Sequence, residues 1–224
     1  MNQTSFWEQS WKRLDPARVS ALLEGFDFSD DAILQALRAR GVRTVCDAGC
    51  GCGVYALKLA RHGFFVSGFD LSEDAAGMTR RLLAKNGAAH GDFRAADVSD
   101  TGYPDGAFDA VVARDVLDHM PIRSAAAALE ELLRILRPGG CLLLCLDQTD
   151  AEYESESHRV NADGDYLFSA GKWAGMAFHP YSPADIEILC SGRSVEVLPQ
   201  EQGYLVILEK DTEKTNTGGR YERI

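Results

Sequence analysis

The segment most informative about the fold is Val45-Cys46-Asp47-Ala48-Gly49-Cys50-Gly51-Cys52-Gly53. It begins as a strand-like run and continues through three glycines into the helical pattern of residues 54–61. Glycines at such a turn permit tight backbone geometry and let a ligand approach main-chain atoms. A dinucleotide loop is not indicated, because Val54 stands where G-x-G-x-x-G needs its third glycine, and the chain has no G-x-x-x-x-G-K-[ST] loop. Tight packing alone is the alternative explanation for these glycines.

Acidic residues end the next two strand-like runs, Asp70 after residues 64–69 and Asp97 after residues 93–96. In an open α/β sheet, ligands bind where the carboxyl ends of the strands meet. Asp70 is suited to accept both hydroxyls of a ribose, and Asp97 to accept from an exocyclic amine. Each has a structural alternative, since Asp70 precedes the helix-capping Ser72 and an Asp in the position of Asp97 often forms a turn. Their coincidence with the glycine loop favours a binding site.

The rest of the chain alternates short apolar runs with amphipathic segments, which predicts parallel strands joined by helices. Strands are predicted at residues 44–48, 64–70, 93–97, 108–114 and 141–147, with a helix at 124–136 before the last of them. A helix starting after Ser182 and strands at 194–198 and 204–209 predict a closing antiparallel hairpin. We expect a helical N-terminal cap at 1–40, a main domain at 41–210 with a substrate-cap insertion at 148–181, and a disordered tail at 211–224.

The amino-acid composition of the chain limits the classes of molecule that it is expected to bind. Lys and Arg number 23 against 34 Asp and Glu, a net charge of −11. This charge repels phosphate backbones and disfavours nucleic acid and anionic lipid as partners, although it also serves solubility alone. Neither a membrane-spanning apolar run nor a signal peptide is indicated, and the six cysteines do not have zinc-ligand spacing. The sequence predicts a reduced, soluble, cytoplasmic protein without a metal, and it gives no oligomeric state.

Five segments together resemble the motif series of class I S-adenosylmethionine-dependent methyltransferases. They are the glycine loop, G-F-D-L-S at 68–72, A-A-D-V at 95–98, F-D-A-V-V-A-R-D-V-L-D-H-M at 108–120 and L-R-P-G-G at 136–140. The resemblance implies a doubly wound, seven-stranded, mostly parallel sheet whose last strand is antiparallel. It also implies that S-adenosylmethionine is the cofactor and that a methyl group is transferred from it.

The same resemblance assigns expected roles in binding the cofactor. Gly49, Gly51 and Gly53 pass beneath its methionine part, with Asp47 near the ammonium group. Asp70 holds the ribose, Leu71 packs on the adenine, and Asp97 with the Val98 backbone meets the adenine edge. The Arg114 carbonyl faces the ammonium; its guanidinium either meets an acidic substrate or forms a surface ion pair.

The sequence constrains the identity of the methyl acceptor less than that of the cofactor. The Asn-Pro-Pro-aromatic motif of nucleobase-modifying relatives is replaced by Arg114-Asp115-Val116-Leu117, so we expect a small-molecule acceptor. His119 and His179 are candidate general bases, with a structural role as the alternative for each. The candidate acceptor wall comprises Trp7, Trp11, Trp173, Phe178 and Tyr181, of which Trp11 is also expected to touch the cofactor. A core stripe is the alternative for the N-terminal aromatics. A protein methyltransferase and a non-catalytic cofactor-binding protein are the rival functions.

Overall fold

The structure is a computed structural model that describes residues 3–14, 16–148 and 151–212. It confirms the predicted α/β architecture, a seven-stranded sheet flanked by helices. The predicted tail at 211–224 falls almost entirely outside the described residues. Within the described part of the chain, no helix is long and apolar enough to cross a bilayer.

The helices are α1 (Gln3–Lys12), α2 (Pro16–Gly25), α3 (Ala32–Ala39), α4 (Val54–Arg61), α5 (Glu73–Lys85), α6 (Ile122–Arg134), α7 (Ala151–Ser155) and α8 (Pro183–Leu189). The strands are β1 (Thr44–Ala48), β2 (Phe65–Asp70), β3 (His90–Ala95), β4 (Phe108–Arg114), β5 (Leu136–Asp147), β6 (Arg159–Val160), β7 (Tyr166–Leu167), β8 (Ala177–Phe178), β9 (Val195–Pro199) and β10 (Gly203–Glu209). A single 3₁₀ turn, Gly171–Trp173, lies between β7 and β8.

The main sheet has the strand order β3-β2-β1-β4-β5-β10-β9. Neighbouring strands from β3 to β5 are parallel, whereas β10 runs antiparallel to both β5 and β9. The strand order reverses direction between β1 and β4, and β1 carries the glycine loop at its carboxyl end. Ligands bind at such a switch point in open α/β sheets.

Both faces of the sheet are covered, which explains why its central strands read as unbroken apolar runs. Along β4, Val111 and Ala113 point into one core layer with α6 and α8, and Ala110 and Val112 point into the other with α3, α4 and α5. The alternation follows from the two-residue period of a strand. The sheet therefore provides a rigid base for the residues at its strand ends.

The boundaries of three elements, α6, β5 and β3, differ from the sequence-based prediction. Helix α6 begins at Ile122 and ends at Arg134, and β5 begins at Leu136, before the Pro-Gly-Gly segment that was expected to separate them. Leu136 pairs with Phe108 of β4, and the register shifts between Phe108 and Ala110. Pairing with β4 at Leu136 and again from Cys141 thus brackets residues 137–140, whose local preference is for a turn. Strand β3 is also displaced, so Asp97 lies two residues beyond its end.

Residues 151–181, called the cap below, follow β5. They contain α7 and a small antiparallel sheet in the order β6-β7-β8. An aromatic cluster holds the cap to α1; its members are Phe6, Trp7, Tyr153, Tyr166, Phe168, Trp173, Met176 and Phe178. Because α1 and the cap share this cluster, they form one wall beside the carboxyl edge of the sheet.

Candidate active site

The glycine loop turns sharply over the end of β1. Gly49 and Gly51 have φ values of 70° and 52°, a region that favours glycine. A Cβ at Gly49 would lie 2.5 Å from Val116 Cγ2, and one at Gly51 would lie 2.9 Å from the Trp11 ring. These glycines therefore satisfy both a turn and close packing, and the packing explanation raised from the sequence accounts for part of their presence. Gly53 is the N-cap of α4.

Asp70 joins the glycine loop to the start of α5. Its two carboxylate oxygens accept hydrogen bonds from Gly51 N at 3.0 Å and Ser72 N at 2.9 Å. Burial raises the pKa of Asp70, and these two N–H groups oppose the rise. The structural alternative is thus present in the molecule, but it does not exclude ligand binding, because each carboxylate oxygen has a second lone pair. Asp70 also lines a cavity.

Asp97 is more exposed than Asp70 and is held differently. One of its oxygens accepts from both the backbone N and the hydroxyl of Ser99, at 2.8 and 2.7 Å. This is the turn-forming role that the sequence left open. Asp97, Val98 and Leu71 all line the same cavity as Asp70.

Two adjoining cavities lie at this edge of the sheet, with volumes of about 290 and 810 Å³. Residues common to both walls are Trp7, Trp11, Gly49, Asp115 and His119. The smaller cavity contains the predicted ribose and adenine residues, and the larger contains Asp47, Gly51, Gly53, Arg114 and Trp173. All ten residues predicted to bind the cofactor therefore line one continuous region, together with His119, Trp7 and Trp173.

The lining is strongly acidic. Six carboxylate side chains face one guanidinium, that of Arg114, among the described residues that form the two walls. Asp47 is 3% exposed, and its Oδ2 has no hydrogen-bond partner in the described part of the chain. Burial raises the pKa of Asp47 to about 7, an effect that Arg114 opposes and Asp70 reinforces. The Arg114 guanidinium itself lies 4.4 Å from the centre of the Tyr55 ring. Such a lining suits a ligand that brings positive charge.

His119 lies at the boundary of the two cavities, with both ring nitrogens engaged. Nδ1 is 3.3 Å from Asp118 Oδ1, and Nε2 is 2.9 Å from the hydroxyl of Tyr153. Burial alone would lower the pKa of His119, but the charge and hydrogen bond of Asp118, with the charges of Asp115 and Asp147, raise it above its ordinary value. Trp7 meets the imidazole edge-on at 5.4 Å between ring centres.

Asp115, Asp118 and Asp147 each bring one carboxylate oxygen within 4.8 Å of the others. Asp115 has a φ of 56°, unusual for a residue with a side chain, and directly follows β4. Acidic groups cluster in this way without an ion in many proteins. Here the cluster concentrates negative charge beside His119.

Two residues expected at the acceptor wall, Phe178 and Tyr181, and the candidate base His179 lie elsewhere, which corrects those expectations. Phe178 is fully buried in the aromatic cluster, and Tyr181 is fully buried with its hydroxyl 3.5 Å from the Leu117 carbonyl oxygen. His179 is 3% exposed, and its Nδ1 is 2.9 Å from Asp165 Oδ1. None of the three lines either cavity. Strand β8 and the turn after it run beneath the cavity wall, so these side chains pack into the core.

Tyr153 and Asp118 belong to the site, and sequence reasoning did not identify them. Tyr153 comes from an acidic, polar stretch that shows no periodicity. Asp118 is next to His119 in the sequence, which was a usable signal for a carboxylate that orients an imidazole. No comparable signal points to Tyr153.

Comparisons with known proteins find methyltransferases among the similar sequences and folds. Residues 45–140 match a family model described as a methyltransferase domain. The chain is 37% identical over 91 residues to the magnesium-protoporphyrin O-methyltransferase of Synechocystis sp., covering 39% of this chain and 38% of that protein. It is 35% identical over 102 residues to the 2-methyl-6-phytyl-1,4-hydroquinone methyltransferase of Synechocystis sp., covering 45% and 31%.

Among solved structures, magnesium protoporphyrin IX methyltransferase from Synechocystis PCC 6803 with bound SAM superposes with a TM-score of 0.61. The sequence identity is 20%, and the alignment covers 93% of this chain and 96% of that one. The chain spans about half or less of the length of the curated relatives it matches. The fold is the one that class I, Rossmann-like methyltransferases share. Residues 45–140, less than half of the chain, are the part that is similar to the methyltransferase-domain family that the model describes.

Proposed function

We propose that this protein transfers a methyl group from S-adenosylmethionine to a small-molecule acceptor. The observation that carries the proposal is the acidic cavity around the glycine loop, in which the buried Asp47 has a carboxylate oxygen without a hydrogen-bond partner among the described residues. A cofactor with an ammonium and a sulfonium group supplies the missing positive charge. A dinucleotide or nucleoside triphosphate would bring phosphates against six carboxylates.

The residues present fit this cofactor along its length. Asp47 would hold the ammonium, Asp70 the ribose hydroxyls, and Asp97 with Val98 and Leu71 the adenine. Asp70 already accepts two backbone N–H groups, so its position is fixed before the cofactor arrives. When bound, the cofactor supplies an activated methyl group, and the protein's task is to align the acceptor and exclude water.

The acceptor side of the cavity is aromatic. Trp7, Trp11, Trp173 and Tyr153 line it, and the Trp173 indole N–H has no hydrogen-bond partner in the described part of the chain. Aromatic walls suit apolar or planar molecules, and an indole N–H can bind one acceptor oxygen. Relatives named for a hydroquinone, a ubiquinone precursor pathway and a protoporphyrin support a small-molecule acceptor.

The first experiment is titration calorimetry with S-adenosylmethionine and with its demethylated product, using NAD and ATP as controls. We expect the first two to bind and the controls to give no heat. An absence of binding at millimolar cofactor would refute the proposal.

The second experiment compares turnover of radiolabelled cofactor on a panel of planar small molecules and on a panel of basic peptides. Label transfer to the small molecules supports the proposal, and transfer only to peptides replaces it with a protein methyltransferase. Cofactor binding without transfer to either panel favours a non-catalytic protein of the same fold.

A further inference from the structure

Tyr153 is the cap residue that reaches His119. It lies on α7, is 8% exposed and lines the larger cavity, where Trp7 and Trp173 are its neighbours in the wall. Its ring meets those of Trp173 and Phe178 at centroid distances of 5.0 and 4.9 Å, so its orientation is set by packing. Its hydroxyl lies 2.9 Å from His119 Nε2.

Asp118 fixes His119 from the opposite side. Its side chain is fully buried, with Oδ1 3.3 Å from Nδ1 of the imidazole and Oδ2 without a hydrogen-bond partner among the described residues. Its backbone carbonyl accepts from His179 N at 2.7 Å, which ties this turn to the cap. A carboxylate beside Nδ1 keeps the proton on that nitrogen. Nε2 is then the acceptor, and the Tyr153 hydroxyl donates to it.

This arrangement decides which group can meet an acceptor molecule. Both nitrogens of His119 are engaged within the protein, and Tyr153, whose hydroxyl engages Nε2, lines the larger cavity. Resting on the proposed function, we propose that Tyr153 is a catalytic residue that takes the proton of a hydroxyl acceptor and passes its own proton to His119. Asp118 is the positioning residue of this relay.

The step balances in atoms and charge. The acceptor oxygen forms a bond to the methyl carbon as the bond from that carbon to sulfur breaks, and the sulfur keeps the electron pair. The acceptor's O–H proton moves to Tyr153 Oη while the Tyr153 proton moves to His119 Nε2. The products are a methyl ether, a neutral thioether and an imidazolium beside the Asp118 carboxylate. The imidazolium returns its proton to solvent after product release.

The relay also specifies the acceptor class. An aromatic amine or a carboxylate attacks with a lone pair that is available at neutral pH, so it needs no base. A phenol or an alcohol is a weak nucleophile until its proton leaves, and a general base contributes most there. Combined with the aromatic wall, this favours a planar molecule that carries a hydroxyl group.

The geometry can be tested without any acceptor. Nitrogen NMR of protein labelled at histidine should show His119 with its proton on Nδ1 and Nε2 as a hydrogen-bond acceptor. Tyr153→Phe should move the Nε2 resonance, and Asp118→Asn should lower the pH midpoint of His119. A proton on Nε2 in the wild type at a pH above the midpoint of His119, or an unmoved Nε2 resonance in Tyr153→Phe, would overturn the relay.

The chemistry is tested with 2-naphthol, 2-naphthylamine and 2-naphthoate as matched planar acceptors. We expect methylation of 2-naphthol, with kcat lowered about 10²–10⁴-fold in Tyr153→Phe while cofactor binding stays within about twofold. Tyr166→Phe is the matched control, because Tyr166 belongs to the same aromatic cluster but lines neither cavity, and its kcat should be unchanged.

Two outcomes contradict the inference while leaving the proposed function standing. One is preferred methylation of the amine or the carboxylate at a rate that Tyr153→Phe does not alter. The other is methylation of other small molecules of the panel at positions without a hydroxyl group, with none of these three methylated, which would overturn the hydroxyl class. A protein that binds no cofactor fails the calorimetric test above, so that failure is distinguishable.

Discussion

The cofactor side of the cavity and its acceptor side differ in how far apart in the chain their contacts lie. Asp70 bonds to residues 19 and 2 positions away, both within the β1–α4–β2 unit and the turn that follows it. On the acceptor side, His119 bonds across 34 positions and Ile122 across 43. A site whose residues lie close together in the sequence can be recognised as a sequence motif. A site whose residues come from distant segments depends on how the whole chain folds. From a single sequence, the cofactor side of this cavity is therefore easier to predict than the acceptor side.

The largest expected effect is a difference in kcat between variants of the two histidines, His119 and His179. His119→Gln removes the base from the cavity boundary, so kcat on 2-naphthol should fall about 10²–10⁴-fold with cofactor binding intact. His179→Gln alters a side chain buried beneath the wall, so kcat should fall less than about tenfold while the melting temperature drops. Steady-state kinetics and calorimetry on both variants make the comparison. Equal losses of kcat would mean that the two histidines share one role.

The next effect concerns the glycine loop. Gly49→Ala places a methyl group 2.5 Å from Val116 Cγ2 at a φ of 70°, so we expect cofactor affinity to fall by about a hundredfold or more. Gly41→Ala is the matched control, with a φ of 63° and nothing within 4 Å of the added carbon. It should lose about 1–2 kcal/mol of stability from backbone strain and bind the cofactor normally. Calorimetry measures the loss of cofactor affinity that the steric clash in Gly49→Ala causes. Thermal melts measure the loss of stability that backbone strain causes in Gly41→Ala.

Asp70→Ala should weaken cofactor binding by about 1.5–3 kcal/mol, the range for hydrogen bonds to a charged group. It should also lower the melting temperature, because Gly51 N and Ser72 N lose their acceptor. Asp97→Ala removes an exposed side chain whose hydrogen bonds in the described part of the chain lie within its own turn, so its effect on binding should be smaller. If Asp70→Ala lowers the melting temperature but leaves cofactor affinity unchanged, the role of Asp70 is structural, as the acceptor for the two backbone N–H groups.

The smallest effect is a pH dependence at Asp47. Its folded pKa of about 7 exceeds its ordinary value, so the native state holds the proton longer and stability falls as pH rises from about 4 to 7. Asp47→Asn should therefore melt higher than the wild type at pH 8, with little difference at pH 4. Each kcal/mol corresponds to about 2–4 °C for a chain of this size.

Binding of a cationic cofactor should restore the Asp47 carboxylate and release a proton. Affinity in the wild type should then rise up to about tenfold between pH 6 and pH 8. Calorimetry in buffers of different ionisation enthalpy measures the released proton directly. A pH-independent affinity in the wild type would remove Asp47 from the ammonium site.

Sequence reasoning located the strand ends and the glycine loop because their chemistry is local. Asp47, Gly49 and Asp70 lie where a strand ends and a helix begins, and that position alone places them at the ligand edge of a parallel sheet. Their roles as cofactor ligands remain predictions that the experiments above decide.

The acceptor wall could not be predicted in the same way. Aromatic residues of the cap look alike in sequence, yet Trp173 lines the cavity while Phe178 and Tyr181 are buried. The choice depends on which face of a two-residue strand meets α1 and α6, and no periodicity can develop over so few residues. Tyr153 was missed for the same reason.

The hydrogen bond from Ile122 N to Asp165 Oδ1 sets an order of events during synthesis. Helix α6 has Pro121 at its N-cap and no side-chain bond from that residue, and the buried Asp165 accepts its first N–H instead. That carboxylate leaves the ribosome 43 residues later, a delay of roughly 2–9 s at typical elongation rates. Until then the first turn of α6, which follows His119 closely in the chain, lacks its acceptor. Maturation of the site is therefore expected to wait for the cap, and nascent chains truncated before residue 165 should remain sensitive to proteases at that turn.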